Sequence, residues 1–218
     1  MQRVLEPEYM DSPSEAQSYA HMDHEEANHE VVSRFSTIST SKGILLDIGT
    51  GPGDIPILLA KTAPDLRVIG IDAAASMLAI ARDRVCRAGL SEQVRLQRAD
   101  AKVLPFADSI FDGVISNGML HHIPDPVDLL REAHRVLRPD GALLVRDLCR
   151  PEKESDVQRL VDLYAAEAKE GQRAMFHASL CAALTLDEAK EASREAGMMN
   201  AVVSMSSDRH YCIEIAIP

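Results

Sequence analysis

The sequence predicts an α/β fold: a doubly wound sheet of seven strands, mostly parallel, with an antiparallel C-terminal hairpin and helices on both faces. Three observations predict it. From Gly43 to about Asp147, short apolar runs alternate with stretches of helical periodicity. The first run, ILLDIG, opens into glycines at alternate positions, Gly49, Gly51 and Gly53. Near the C-terminus, AVVSM and HYCIEIAI follow each other with no room for a helix between them. Strands so closely joined pair antiparallel, because a parallel pair needs a long crossover.

Taken in order, residues 1–40 come first. EAQSYAHMDHEEANHEVVSRF carries apolar residues at helical spacing, which predicts one or two helices. Ligands of open α/β sheets bind beyond the carboxyl ends of the strands. The segment 1–40 is therefore read as a lid over that edge, and 41–218 as a single domain. ILLDIG is the first strand. Asp54 begins a helix to about Ala63, with Pro56 in the first turn, where a missing N–H is tolerated. RVIGID is the second strand, and Ala75 to Ala88 a helix stopped at Gly89. VRLQRAD, FDGVISN and ALLVRDL are strands three to five. Before the last of these, Pro126 to Leu137 is helical and RPDG is its stop. Lys153 to Glu170 reads as a charged amphipathic helix in an inserted helical region spanning about 153–183. TLDEAKEASREAG carries a capping box, Thr185 with Glu188, and stops at Gly197 before the hairpin.

The 218 residues are 46% hydrophobic and 26% charged, as in an ordinary globular domain. No apolar run reaches membrane-spanning length, and the first thirty residues are acidic rather than signal-like. A cytoplasmic protein without a membrane partner is expected. Cys86, Cys149, Cys181 and Cys212 include no CxxC pair, so reduced thiols are expected. HMDH sets His21 and His24 on one helix face but offers no third or fourth ligand, so no metal is expected. Net charge is −11, and residues 1–40 hold eight carboxylates against Arg3 and Arg34. That end repels polyanions, which disfavours nucleic acid as substrate.

The glycine loop has the spacing GxGxG, not the GxGxxG of dinucleotide folds. Asp47 precedes it and Asp54 follows it. Carboxylates there repel a pyrophosphate and suit a ligand with a cationic end. Asp72 ends the second strand, where an acid accepts hydrogen bonds from ribose hydroxyls. Asp100 ends the third strand, where it suits an exocyclic amine such as that of adenine, with the N–H of Ala101 beside it. SNGMLHHIPDP brings Asn117, His121 and His122 to the same edge. Singly, each acid also reads as a cap or turn residue. Jointly, they form a row for an adenosine carrying a positively charged chain.

These motifs resemble the class I S-adenosylmethionine-dependent methyltransferases, of the small type related to ubiquinone and menaquinone methyltransferases. The likeness runs through LDIGTGPG, GIDAAASML, RADAKVLPF, FDGVISNGMLHHIPDP and REAHRVLRPDGALLVRDL. It implies a Rossmann-like sheet, S-adenosyl-L-methionine as cofactor and S-adenosyl-L-homocysteine as product. It implies that Asp47, Gly49 and Gly51 line the methionine portion, that Asp72 binds ribose, and that Asp100 and Ala101 bind adenine with Met77 on its face. Asn117 would lie near the sulfonium, and Thr50, Gly53 and Ala73 complete the cofactor set. The flanks RVLEPEYMDSPSEAQSYAHMDHEE, SLCAALTLDEAKE and SSDRHY are similar to a methyltransferase module fused to some 5-thiohistidine (ovothiol) synthases. That resemblance implies an imidazole nitrogen as acceptor.

Methyl transfer from a sulfonium is an in-line displacement, which needs a lone pair held about 3 to 3.5 Å from the methyl carbon. His121, His122 and Asn117 are the candidate catalytic groups. A neutral imidazole at that point accepts a proton near neutral pH, or else it only orients the loop. All four tyrosines lie outside 41–150. Tyr9, Tyr19, His121, Phe176, Arg209 and His210 are the candidate acceptor-binding residues, with Arg209 suited to grip a carboxylate. The expected acceptor is a small polar molecule and the expected state a monomer or homodimer. Another small acceptor (quinone or thiol), RNA, a nicotinamide-dependent reaction and a non-catalytic cofactor-binding role are the alternatives.

Overall fold

A computed structural model describes residues 1–6, 11–22 and 25–217. At its centre is a seven-stranded sheet in the order β3-β2-β1-β4-β5-β7-β6. β1 (Gly43–Ile48), β2 (Leu66–Asp72), β3 (Val94–Arg98), β4 (Phe111–Asn117) and β5 (Leu137–Leu148) are parallel. β7 (His210–Ile215) lies antiparallel beside β5, and β6 (Val202–Met205) pairs antiparallel with β7. The expected mixed sheet and terminal hairpin are therefore present. β1 lies between β2 and β4, so the chain order reverses there, and such a switch point opens a crevice at the carboxyl edge.

The apolar runs are continuous because the central strands are covered on both faces. In β1, Leu45, Leu46, Asp47 and Ile48 are all buried. On one face, α5 (Pro126–Val136) and α8 (Leu186–Glu195) contribute Leu129, Leu130 and Ala189 to a core with Leu46, Val114, Val145 and Tyr211. On the other, α2 (Glu25–Ile38), α3 (Asp54–Thr62) and α4 (Ala75–Arg87) contribute Val31, Phe35, Leu59 and Val85 to a core with Leu45, Ile115 and Leu144. Within the N-terminal segment, α2 therefore packs as part of the core. Arg34 also ties α2 to β7 by two hydrogen bonds to Glu214, at 2.6 and 2.7 Å. Phe35 is fully buried, and a Cβ on Gly113 of β4 would lie 2.8 Å from its ring. Phe35→Ala opens that space and is expected to cost about 3 to 5 kcal/mol in urea unfolding. A loss below about 1 kcal/mol would mean that α2 is not part of the core.

α1 (Pro13–Ala20) lies on the start of α4, with Ala16 packed against Ala74 and Met77 and with Tyr19 alongside. Ahead of it, residues 1–6 form an extended strap. Met1 donates to the Glu152 carbonyl and Val4 to the Cys181 carbonyl. Tyr9 and His24, both singled out from the sequence, lie outside the described residues.

Two elements differ from the sequence expectation. RPDG is not a loop: α5 ends at Val136 and β5 starts at once, with Leu137 paired to Phe111 ahead of a register shift. Leu137 is buried against the sheet, and that contact outweighs the turn preference of Pro139 and Gly141. The helix expected over 153–170 is shorter, α6 (Glu154–Tyr164), and a second helix, α7 (Glu170–Ala182), completes the inserted region. Val157 and Leu160 of α6 pack against Leu180 and Cys181 of α7, so the chain turns back on itself. Among the described residues, no helix is long and apolar enough to cross a membrane.

Candidate active site

The loop after β1 is held by the end of β2. Gly49 and Thr50 N–H both donate to the Ile71 carbonyl, at 2.9 and 2.8 Å. Asp72 accepts from Gly51 N–H through Oδ2 and from Ala74 N–H through Oδ1, both at 2.8 Å. Its carboxylate thus joins the glycine loop to the turn that carries Ala73 and starts α4. Gly51 has φ 51°, and a Cβ there would meet nothing within 4 Å. Its backbone borders open space. Gly53 differs: at φ 87° its Cβ would stand 3.1 Å from that of Ala81. The missing side chain lets α3 start against α4.

Asp47 is 1% exposed, and neither of its carboxylate oxygens has a hydrogen-bond partner among the described residues. Thr50 Oγ1 beside it is also unpartnered. Burial pushes the Asp47 carboxyl up to about 7, the nearby Thr50 hydroxyl pulling back and the Asp72 charge adding to the rise. Burial also raises Asp72, against the backbone N–H groups that it accepts. An unpartnered buried carboxylate is costly unless a cation meets it. The residues present therefore fit a ligand with a cationic end. Asp54 does not add to this preference as its position suggested, because Arg84 pairs with it at 2.7 Å.

Tyr19 of α1 is drawn to the same place. Burial, with the charges of Asp54, Asp72 and Asp147, pushes its phenol up to about 12. Met77 is buried beside it, and Ala101 is buried as well. Asp100 is half-exposed and accepts through Oδ1 from Lys102, at 2.9 Å from the backbone N–H and 3.1 Å from the ammonium. Despite the cost of burial, these contacts hold it below the usual carboxylate range.

Across the switch point, Asn117 ends β4 and accepts from Arg146 of β5 at 3.3 Å. Arg146 is 4% exposed and also meets Glu30 at 3.0 Å and His210 Nδ1 at 3.1 Å. Burial and the Arg146 and Arg209 charges push His210 down to about 3. It is neutral, with Nδ1 accepting. On the other face of β5, Asp147 sits 2.6 Å from His121 Nδ1, and the His121 backbone N–H donates to the same carboxylate. Glu6 of the strap lies 3.3 Å from His121 Nε2 and 3.2 Å from His122 Nδ1. Burial disfavours the His121 charge, but the two carboxylates prevail and push it up to about 9. In this arrangement His121 is an imidazolium near neutral pH, not the neutral ring that takes up a proton.

Sequence reasoning missed Arg146, Asp147 and Glu6. The first two did leave a signal, an Arg-Asp pair inside the otherwise apolar strand ALLVRDL. The remaining candidates are spread out. Arg209 stacks on Tyr164, its guanidinium carbon 3.3 Å from the ring centroid, and donates to Asp208. Phe176 packs against the α6–α7 cluster with Val157 and Leu180.

This sheet order, a glycine loop at the switch point, a buried acid near the end of β1 and a half-buried one at the end of β2 are the features of a nucleotide-cofactor domain. Residues 46–145 match the model of the methyltransferase domain family. The chain is 37% identical over 158 residues to 27-O-demethylrifamycin SV methyltransferase of Amycolatopsis mediterranei, covering 71% of this chain and 53% of that one. It is 41% identical over 109 residues to demethylmenaquinone methyltransferase of Thermus thermophilus, covering 50% and 49%. The chain thus spans about half the length of the curated relatives it matches. In fold, it superposes on Haemonchus contortus phosphoethanolamine N-methyltransferase 2 in complex with S-adenosyl-L-methionine. The TM-score is 0.71 at 18% identity, with 97% of this chain and 58% of that one covered. A SAM-dependent methyltransferase from Aquifex aeolicus gives 0.69 at 19% identity, with 95% and 99% covered.

Proposed function

We propose that this chain transfers the methyl group of S-adenosyl-L-methionine to a small polar acceptor and releases S-adenosyl-L-homocysteine. The buried, unpartnered Asp47 beside the open backbone of Gly51 carries the reading. When bound, the cofactor supplies a methyl carbon made electrophilic by its sulfonium. Asp47 then meets the ammonium of the methionine portion, with Gly49, Thr50 and Gly51 along it. Asp72 offers its remaining lone pairs to the ribose hydroxyls. Asp100 and Ala101 receive the adenine, with Met77, Ala73 and Tyr19 around it, and Gly53 only supports the loop. Asn117, held by Arg146, stands on the sulfonium side.

On the acceptor side, Arg146, Glu30, His210 and Asn117 form a polar group at the ends of β4 and β5. That chemistry suits a small polar molecule better than a long isoprenoid chain, which needs an apolar groove. The finer reading is an imidazole nitrogen of a thiohistidine-like amino acid, supported by the flanking sequence. Its free ring nitrogen already carries a lone pair, so positioning can supply most of the catalysis. Arg209 or Arg146 meets its carboxylate, and Tyr9, His121, His122 and Phe176 complete the surroundings. The chain would act in the cytoplasm as a monomer or homodimer, consistent with four free cysteines. Incubation with imidazole, thiol, quinone and amino-acid acceptors tests this, reading S-adenosyl-L-homocysteine release by mass spectrometry. Turnover only with quinones would overturn the polar acceptor. A protein that binds NADH and not S-adenosyl-L-methionine would overturn the whole reading.

A further inference from the structure

Three metal-ligand atoms converge beneath the N-terminal strap. They are Glu6 Oε1, His121 Nε2 and His122 Nδ1, and all lie within 4.8 Å of one another. We propose that Glu6, His121 and His122 bind a divalent transition-metal ion of the zinc type. Nothing in the sequence pointed there, because Glu6 is far from the histidines along the chain.

Four observations support the site. First, the spacing fits: ligand atoms at 2.0 to 2.1 Å from a tetrahedral zinc stand about 3.3 Å apart. Glu6 Oε1 is 3.3 Å from one imidazole nitrogen and 3.2 Å from the other. Second, His121 has the outer partner that metal-bound histidines usually have. Asp147, 2.6 Å from Nδ1, fixes that nitrogen as the donor, so a metal ion would take the place of the Nε2 proton that faces Glu6. Third, one residue organises both halves. Arg3 of the strap donates to the His121, Ile123 and Pro124 carbonyls, and its Nε donates to the Ala182 carbonyl. It thereby fixes the turn that carries both histidines and the strap that delivers Glu6. Ser179 adds a hydrogen bond to Glu6 Oε1 at 3.1 Å. Fourth, the group is enclosed, with side-chain exposures of 12% for Glu6, 6% for His121 and 19% for His122.

Two imidazoles and one carboxylate favour zinc, cobalt or iron(II) over calcium or magnesium, which prefer oxygen. Three protein ligands also leave a fourth position open for water or an acceptor heteroatom. Protons alone could hold the same atoms as ordinary ion pairs, and the test must separate the two. It must also exclude Glu154, His177 and Cys181, a second ligand cluster among the described residues.

The proposal stands apart from the methyltransfer reading, so its test needs neither cofactor nor acceptor. Tag-free protein is stripped with a chelator and titrated with Co²⁺, following visible d–d absorption and calorimetric stoichiometry. Wild type and Cys181→Ser are expected to bind one ion each, without thiolate charge-transfer absorption. Glu6→Gln and His122→Gln are expected to weaken binding at least about 100-fold while keeping their far-ultraviolet dichroism. Zn²⁺ should raise the Tm of wild type but not of His122→Gln. No Co²⁺ binding by wild type, binding untouched by Glu6→Gln and His122→Gln, or binding lost in Cys181→Ser would overturn the site.

Discussion

Asp72→Ala is expected to weaken binding of S-adenosyl-L-homocysteine by about 100- to 10,000-fold in calorimetry. The size follows from what the carboxylate has left to offer. Each oxygen already accepts one backbone N–H, from Gly51 or Ala74, and each keeps a lone pair for a hydroxyl. Two hydrogen bonds to a charged acceptor are worth about 1.5 to 3 kcal/mol apiece, and every 1.4 kcal/mol is tenfold in affinity. The variant also frees the Gly51 and Ala74 N–H groups, so the loop loses its tie to β2. Asp72→Asn separates the two effects. Its amide keeps one acceptor for the loop but offers the ribose a neutral, half-matched partner, so an intermediate loss is expected. Retention of affinity within about threefold in Asp72→Ala would show that the ribose lies elsewhere.

The sheet and the row of strand-end acids were legible because both are local. A strand announces itself by a short apolar run, and its last residue falls at the carboxyl edge. Asp47, Asp72 and Asp100 could thus be placed from their positions alone. What the sequence could not show was which of these charges are already satisfied. Arg84 neutralises Asp54 from the next helix, and Lys102 partly neutralises Asp100. Asp47, with no hydrogen-bond partner among the described residues, is the acid left waiting. The acceptor side was hidden for the same reason. His121 reads as a neutral base from its position, yet Asp147 and Glu6 arrive from distant segments and make it an imidazolium. Arg209 reads as a free carboxylate grip; Tyr164 and Asp208 already engage it through its stacked face and one nitrogen, so only its other donors are left for a carboxylate. Long-range ion pairs leave no periodic trace, so charge state was the property that sequence reading missed.

Asp47→Asn is expected to stabilise the free protein while impairing its cofactor site. In the free protein, burial raises this carboxyl to about 7, against about 3.9 in an unfolded chain. At low pH both states hold the proton and Asp47 costs nothing through ionisation. As pH rises from about 4 to 7, the unfolded chain gives the proton up first, and folding stability falls. Once pH passes 7, the full cost is present, at most about 4 kcal/mol for three pH units. Asparagine has nearly the same shape and no charge to bury. Urea unfolding should therefore show Asp47→Asn more stable than wild type by about 1 to 3 kcal/mol at pH 8, with little difference at about pH 3 to 4.

Binding should move the other way. The ammonium of the ligand needs the ionised carboxylate, so wild-type affinity for S-adenosyl-L-homocysteine should fall as pH drops below 7. The limit is tenfold per pH unit, with one proton released on binding at pH 6. The variant should bind about 100-fold more weakly at pH 8 and lack the pH slope contributed by this group. Only a carboxylate kept unsatisfied for a cationic ligand predicts both signs at once. A structural Asp47 would destabilise the fold when replaced, and an irrelevant one would leave affinity and its pH slope unchanged.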